Sequence, residues 1–187
     1  MHALRRRMEP EDARRAAAAV NRRLMALPEA ARVARVALYA SLPDELPTHE
    51  MFAELCERGL SILFPRCLPD RSLCFAAVER WEDLVPGRYG VGEPEGPALA
   101  LGSDDLVVVP GLAFDGACRR LGRGAGFYDR TFPAGADPSP FLVGVGFSFQ
   151  RVEEVPAGSR DRRMDAVVTD REAWRVQPGG LPERARR

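Results

Sequence analysis

Five short runs of uninterrupted apolar residues constrain the fold more than any other feature of this chain. They are "RVALYA" at 35–40, "LSILFP" at 60–65, "DLVVVP" at 105–110, "FLVGVGF" at 141–147 and "AVVTD" at 166–170. None alternates apolar with polar residues, so each reads as a strand buried on both faces. Between the first two runs lie the turn-rich "SLPDELPT" and the helical pattern "HEMFAELCERG", with Gly59 as its expected C-cap. Strand, helix and strand in that order make a βαβ unit, whose two strands are parallel. Ahead of them, "PEDARRAAAAVNRRLMAL" begins with Pro10 and two acidic residues and places Ala13, Ala16, Ala17, Val20, Leu24 and Leu27 on one face. This is an amphipathic helix that Pro28 ends. The Pro- and Gly-rich segment 65–104 is expected to be irregular, and a short helix is expected near 128–132. The architecture that follows is a single α/β domain, three layers α/β/α around a mainly parallel sheet, spanning 1–187 with a flexible tail at 179–187.

Open α/β sheets bind ligands beyond the carboxyl ends of their strands, which here are "YASLPDE", "FPRC" and "PGLAFD". The last of these leads into "RLGRGAGFYDR" at 120–130, where Gly122, Gly124 and Gly126 alternate with other residues and arginines flank them. Such a loop suits a nest of backbone N–H groups around phosphate oxygens, with Arg120 and Arg123 adding charge. A glycine-rich turn with solvated arginines explains the same spacing equally well, because neither GxxxxGK(S/T) nor GxGxxG fits. Lys+Arg and Asp+Glu number 27 each, so nothing in the overall charge calls for nucleic acid or a membrane surface as partner. Cys56, Cys67, Cys74 and Cys118 show no CxxC spacing, and His2 and His49 are the sole imidazoles, which argues against zinc and for reduced thiols. The amino terminus lacks the apolar core of a signal peptide and no run reaches the length of a membrane span, so a cytoplasmic monomer is expected.

The segment "PGLAFDGACRRLGRGAGFYDR" resembles the signature of the 5-formyltetrahydrofolate cyclo-ligases, also called 5,10-methenyltetrahydrofolate synthetases, which runs roughly PxxxFDxxGxRLGxGxGYYDR. Further blocks in "YASLPDELPT", "FPR", "YGVGEP" and "DRRMDAVVTD" follow the family pattern in order. The resemblance implies a fold related to ribose-5-phosphate isomerases and CoA transferases. It also implies an ATP- and magnesium-dependent enzyme that converts 5-formyltetrahydrofolate to 5,10-methenyltetrahydrofolate through a phosphorylated formyl group, releasing ADP and phosphate. Its small-molecule partners are then ATP and the folate. By position in the motif, Arg5 and the loop residues Arg120, Leu121, Gly122, Arg123, Gly124, Ala125, Gly126, Phe127, Tyr128 and Asp129 correspond to the ATP site. Tyr128 and Arg120 take catalytic positions, Glu45 and Tyr128 face the folate, and Asp129 with Asp161 hold Mg2+. Asp165 competes with Asp161 for that role, and Asp129 has the plainer alternative of pairing with Arg130 or capping a helix. Phe75, Trp81 and Tyr89 are read first as core or loop aromatics.

The chain departs from the pattern in three places. No KxxLR precedes Arg5, so either the chain starts late, or other arginines such as Arg6 contact phosphate, or ATP binds weakly. Two missing charge-assisted contacts would cost about 1.5–3 kcal/mol each. Phe127 replaces a tyrosine, and Cys118 stands where the pattern has glycine, with Gly116 available to carry the turn instead. The missing KxxLR raises the alternative of a noncatalytic folate- or nucleotide-binding paralogue. A sugar-phosphate isomerase on the same fold would need phosphate binding but neither ATP nor magnesium.

Overall fold

The computed structural model describes residues 1–158, 161–176 and 183–184. Helix α1 (His2–Arg6) carries Arg5, and α2 (Pro10–Met25) starts on Pro10 with Glu11 and Asp12 in its first turn, where acidic side chains suit the helix dipole. Ala17, Val20 and Leu24 of α2 are buried as the spacing predicts. Strand β1 (Arg35–Ala37) leads through the loop 38–48 into α3 (His49–Glu57), then β2 (Ser61–Cys67). Gly59 has φ +78°, its N–H donates to the Cys56 carbonyl at 2.9 Å, and the Leu60 N–H reaches the Leu55 carbonyl at 3.2 Å. That pair of bonds is the Schellman ending, which a left-handed residue at this position makes possible.

The segment expected to be irregular contains three strands: β3 (Leu73–Ala77), β4 (Val85–Pro86) and β5 (Gly92–Glu93). β3 folds back antiparallel on β2 as an edge strand, and its five residues between turns are too short a run to stand out. The later strands are β6 (Asp105–Pro110), β7 (Ala113–Phe114), β8 (Arg120–Leu121), β9 (Phe141–Gly146), β10 (Ala166–Thr169), β11 (Ala173–Arg175) and β12 (Glu183–Arg184), with α4 (Phe127–Thr131) after β8. The main sheet runs β12-β11-β10-β9-β6-β1-β2-β3, parallel from β10 to β2, with antiparallel strands at both edges. Of the expected tail, 179–187, the described residues are Glu183 and Arg184, which pair with β11; the others lie outside the described residues.

Each inner strand divides its side chains between two cores, which is why its sequence shows no alternation. Val36, Ile62, Phe64, Leu106, Val108, Val143, Val145 and Val168 meet α2 and α3 on one side. Ala37, Leu63, Val107, Val109, Leu142 and Val167 face Phe114, Phe132, Met164 and Trp174 on the other. Each of these larger side chains contributes about 1.5–3 kcal/mol by leaving water. The second covering layer is therefore mostly irregular chain around the β7–β8 ribbon and α4, rather than long helices. At the amino ends of β1 and β6, Arg35 and Asp105 stand in register and form a bidentate ion pair, Nε to Oδ1 at 2.7 Å and Nη2 to Oδ2 at 2.6 Å.

From β1 the chain moves outward through α3 to β2, whereas β6, β9 and β10 build in the opposite direction. The switch point lies between β1 and β6, so the loops leaving their carboxyl ends separate and open a crevice. Among the described residues, no helix is long and apolar enough to cross a membrane.

Gly144 of β9 has no room for a side chain, since a Cβ there would lie 2.5 Å from the Phe114 ring and 3.1 Å from Met164. Gly144→Ala is expected to cost about 1–3 kcal/mol by overpacking, lowering Tm by roughly 2–4 °C per kcal/mol. Gly59→Ala, whose Cβ would meet open space, is expected to lose only about 1 kcal/mol through its left-handed φ. Equal losses in thermal melts would contradict the close packing of Phe114.

Candidate active site

The crevice holds a cavity of about 640 Å³. Its walls are the loop after β1 (Tyr39, Leu42, Glu45), the end of β2 (Pro65, Cys67), the turn around β5 (Tyr89, Val91, Glu93), the whole stretch from Arg120 to Asp129, and Asp161. The glycine loop is held at its root by Phe114 and Asp115. Phe114 is fully buried. The Asp115 carboxylate accepts the N–H groups of Ala117 and Arg119 at 2.9 Å each and of Val155 at 3.1 Å, and its carbonyl accepts the Trp174 indole N–H at 2.9 Å. The turn between β7 and β8 is made by Cys118, whose φ is +56°, so the cysteine itself occupies the left-handed position and Gly116 does not relieve it. That conformation costs a non-glycine residue about 1–2 kcal/mol. The thiol is buried, and burial raises its pKa to about 12.

The three glycines of the loop serve two purposes. Gly124 and Gly126 adopt φ of +90° and +71°, the second at the cap of α4. Gly122 leaves space for the Arg120 guanidinium, because a Cβ would lie 2.7 Å from its Nη1. Arg120 is nearly buried: Nη2 pairs with the Asp129 carboxylate at 3.1 Å, the guanidinium lies over the Tyr128 ring at 5.4 Å, and Nε has no hydrogen-bond partner. Asp129 therefore pairs with Arg120 and not with Arg130, which donates to the Ala125 carbonyl at 2.7 Å. The second Asp129 oxygen accepts the Arg162 N–H at 3.2 Å. Burial pushes the Tyr128 phenol well above its ordinary pKa, with Arg120 opposing, so its hydroxyl stays a donor at neutral pH.

On the facing loop, the Tyr39 hydroxyl donates to the Leu46 carbonyl at 3.0 Å and the Tyr39 carbonyl accepts from the Thr48 hydroxyl at 2.6 Å. These bonds fix the turn on which Glu45 sits. Glu45 accepts the Leu42 N–H at 3.1 Å and the Arg123 Nε at 3.1 Å, with Arg5 Nη2 at 3.8 Å. Arg5 is buried beneath this loop, its guanidinium against Asp44 and Glu45, and it is absent from the cavity wall. Burial lowers its pKa, and the two carboxylates oppose that shift. Arg123 reaches across the mouth, its Nη2 donating to Asp44 at 2.7 Å.

The acidic rivals separate clearly. Asp161 lines the cavity and accepts the Gly158 N–H at 2.7 Å, whereas Asp165 is absent from the wall, accepts the Leu142 N–H at 2.8 Å and pairs with Arg162. Among the described residues no group of three or more His, Cys, Asp or Glu side chains could hold a metal. Asp129 and Asp161 suit Mg2+ only in the way the ion usually binds beside nucleotides, through one or two carboxylates plus phosphate oxygens.

Sequence reasoning passed over Glu93, which is buried, lines the cavity and accepts the Cys67 N–H at 3.3 Å. Burial, with Glu93 assisting, raises the Cys67 thiol to about 11. Nothing local in the sequence marks Glu93; in the fold Gly87 makes room for it, since a Cβ there would lie 2.3 Å from the Glu93 side chain. Phe75 packs on Phe132, and Trp81 on Phe52 and Phe64, as core aromatics; Tyr89 instead is exposed on the rim at φ +63°, edge-on to Phe127 at 5.9 Å.

Residues 1–170 match the 5-formyltetrahydrofolate cyclo-ligase family. The chain belongs to this family. The 5-formyltetrahydrofolate cyclo-ligase of Escherichia coli K12 is 30% identical over 175 residues, covering 91% of this chain and 96% of that protein. The probable 5-formyltetrahydrofolate cyclo-ligase of Schizosaccharomyces pombe is 29% identical over 164 residues, 79% of this chain and 80% of that one. The solved structure of Aquifex aeolicus 5,10-methenyltetrahydrofolate synthetase superposes with a TM-score of 0.77 at 28% identity, covering 98% of this chain and 92% of that one. A Mycoplasma pneumoniae synthetase shares the fold at TM-score 0.69 and 20% identity, over 90% of this chain and 93% of that one. Membership makes the chain an enzyme of the cyclo-ligase family, and the noncatalytic alternative is not favoured.

Gly124→Val should force the loop out of its left-handed turn and weaken nucleotide binding at least about tenfold, since a β-branched residue avoids this conformation. Titration of a folded variant with ADP tests this; unchanged affinity would refute a phosphate role for the loop.

Proposed function

We propose that this enzyme closes 5-formyltetrahydrofolate to 5,10-methenyltetrahydrofolate at the expense of ATP. The observation that carries the reading is the meeting, in one cavity at the switch point, of the Arg120–Asp129 pair and glycine loop with Glu45 and the Tyr128 ring. A formamide oxygen is a poor leaving group until phosphorylated. The formyl oxygen attacks the γ-phosphorus of ATP and ADP departs; N10 then attacks the activated formyl carbon, loses its proton, and phosphate leaves.

Arg120, Arg123 and the N–H groups of the loop hold the phosphates, so catalysis rests on positioning and charge neutralisation rather than on a covalent nucleophile. The protonated Tyr128 hydroxyl is a donor beside the formyl group, and Glu45 accepts from the pterin. Magnesium supplies further charge neutralisation when bound, with Asp129 and Asp161 as the residues that would hold it. Arg5, engaged with Asp44 and Glu45, acts on ATP only through the loop it supports. ATP and the folate are the partners, and the cytoplasm is the compartment where both meet such an enzyme.

The test is absorbance at the methenyl-folate band with purified protein, 5-formyltetrahydrofolate and ATP, with and without magnesium. Growth that requires all three supports the reading, and no growth under any condition overturns it. Asp129→Asn should raise the magnesium needed for half-maximal rate and cut turnover at least about tenfold, as expected for loss of a metal-site charge. An unchanged magnesium titration would remove Asp129 from that role.

A further inference from the structure

Arg123 is the one cation of the glycine loop that leaves its own loop for the opposite wall. Its Nη2 donates to the Asp44 carboxylate at 2.7 Å and its Nε to Glu45 at 3.1 Å, so two hydrogen-bonded ion pairs span the crevice between the loops after β1 and β8. The same carboxylates contact Arg5 from below, at 3.3 and 3.8 Å. The two arginines differ in freedom. The Arg5 side chain is 1% exposed and that of Arg123 is 41% exposed. Arg123 also sits between Gly122 and the open, left-handed Gly124, where the backbone imposes little on its course.

We infer that Arg123 is a latch that makes nucleotide binding and folate binding mutually dependent; this rests on the function proposed above. Without nucleotide, Arg123 occupies a Glu45 oxygen that a folate N–H would use. A nucleotide phosphate on the glycine loop offers Arg123 a stronger, multiply charged acceptor. Transfer of Arg123 to that phosphate frees Glu45 toward the cavity. Arg5 stays behind the loop, so Asp44 and Glu45 are not left as bare buried charges, and the exchange is not opposed by the penalty of stranding them. The two ligands then favour the same open state, which makes their coupling reciprocal.

The experiment is isothermal titration of the full chain with 5-formyltetrahydrofolate, with and without saturating ADP and magnesium; ADP lacks the γ-phosphate and cannot react. Adenosine replaces ADP as the control without phosphate. ADP is expected to tighten the folate about tenfold, within the usual range of coupling, and the folate to tighten ADP by the same factor. Adenosine should leave folate affinity unchanged. Arg123→Gln should bind the folate without nucleotide about as tightly as wild type does with ADP, with the effect of ADP abolished. Asp44→Asn, which loosens the latch while leaving Arg123 for phosphate, should bind ADP more tightly than wild type and show reduced coupling, so the idea stays testable if Arg123→Gln fails to fold. Both ligands binding wild type without coupling, or coupling retained in Arg123→Gln, overturns the latch alone. No folate binding with or without ADP overturns the functional reading and the latch with it.

Discussion

The seat of Phe114 governs how this molecule presents its chemistry. Its ring fills the space that Gly111, Gly144 and Gly146 leave open, where a Cβ would stand 2.5, 2.5 and 3.2 Å from it respectively. One residue later, the Asp115 carboxylate gathers N–H groups from its own turn and from Val155. Close-packed apolar contact fixes the position of the ribbon and directional hydrogen bonds fix its orientation. The strand pair Phe114↔Arg120 then sets where the glycine loop begins. A loop with so many glycines has little stiffness of its own, so its aim depends on this rigid root.

Charge in the crevice is organised as ion pairs. Arg120 holds Asp129, Arg123 holds Asp44 and Glu45, and Arg5 backs the same two carboxylates. Burying an unpaired charge costs several kcal/mol, so side chains this enclosed are found partnered. The two loop arginines differ in setting: Arg120 is nearly buried with its Nε lacking a hydrogen-bond partner, whereas Arg123 is partly exposed and fully engaged with the opposite loop.

Much of the fold was legible because its signals are local. Five runs became five parallel strands; Pro10 and Gly59 marked helix ends as expected. The edge strand β3 was not, since antiparallel pairing to β2 rather than any property of "LCFAA" makes it a strand. Nor was the composition of the second covering layer, because irregular chain carries no periodicity. At the site, the glycine loop stood out and all ten residues from Arg120 to Asp129 line one cavity with Glu45 and Asp161. Glu93, Tyr89 and Cys67 did not stand out, as nothing in their neighbourhoods says that β2 and the turn around β5 come to the same wall.

The sequence by itself determined the parallel α/β sheet, the crevice at the carboxyl ends and the bare, basic loop, because hydrophobic runs, helix ends and glycine conformational freedom act over a few residues. Tertiary structure alone decided the partners. Asp129 could pair with Arg130 next door but instead meets Arg120; Arg5 reaches Asp44, 39 residues away, and Arg123 reaches Glu45, 78 away. Coulombic and hydrogen-bond energies depend on distance in space, and distance in space is set by how the strands stack, not by their order along the chain.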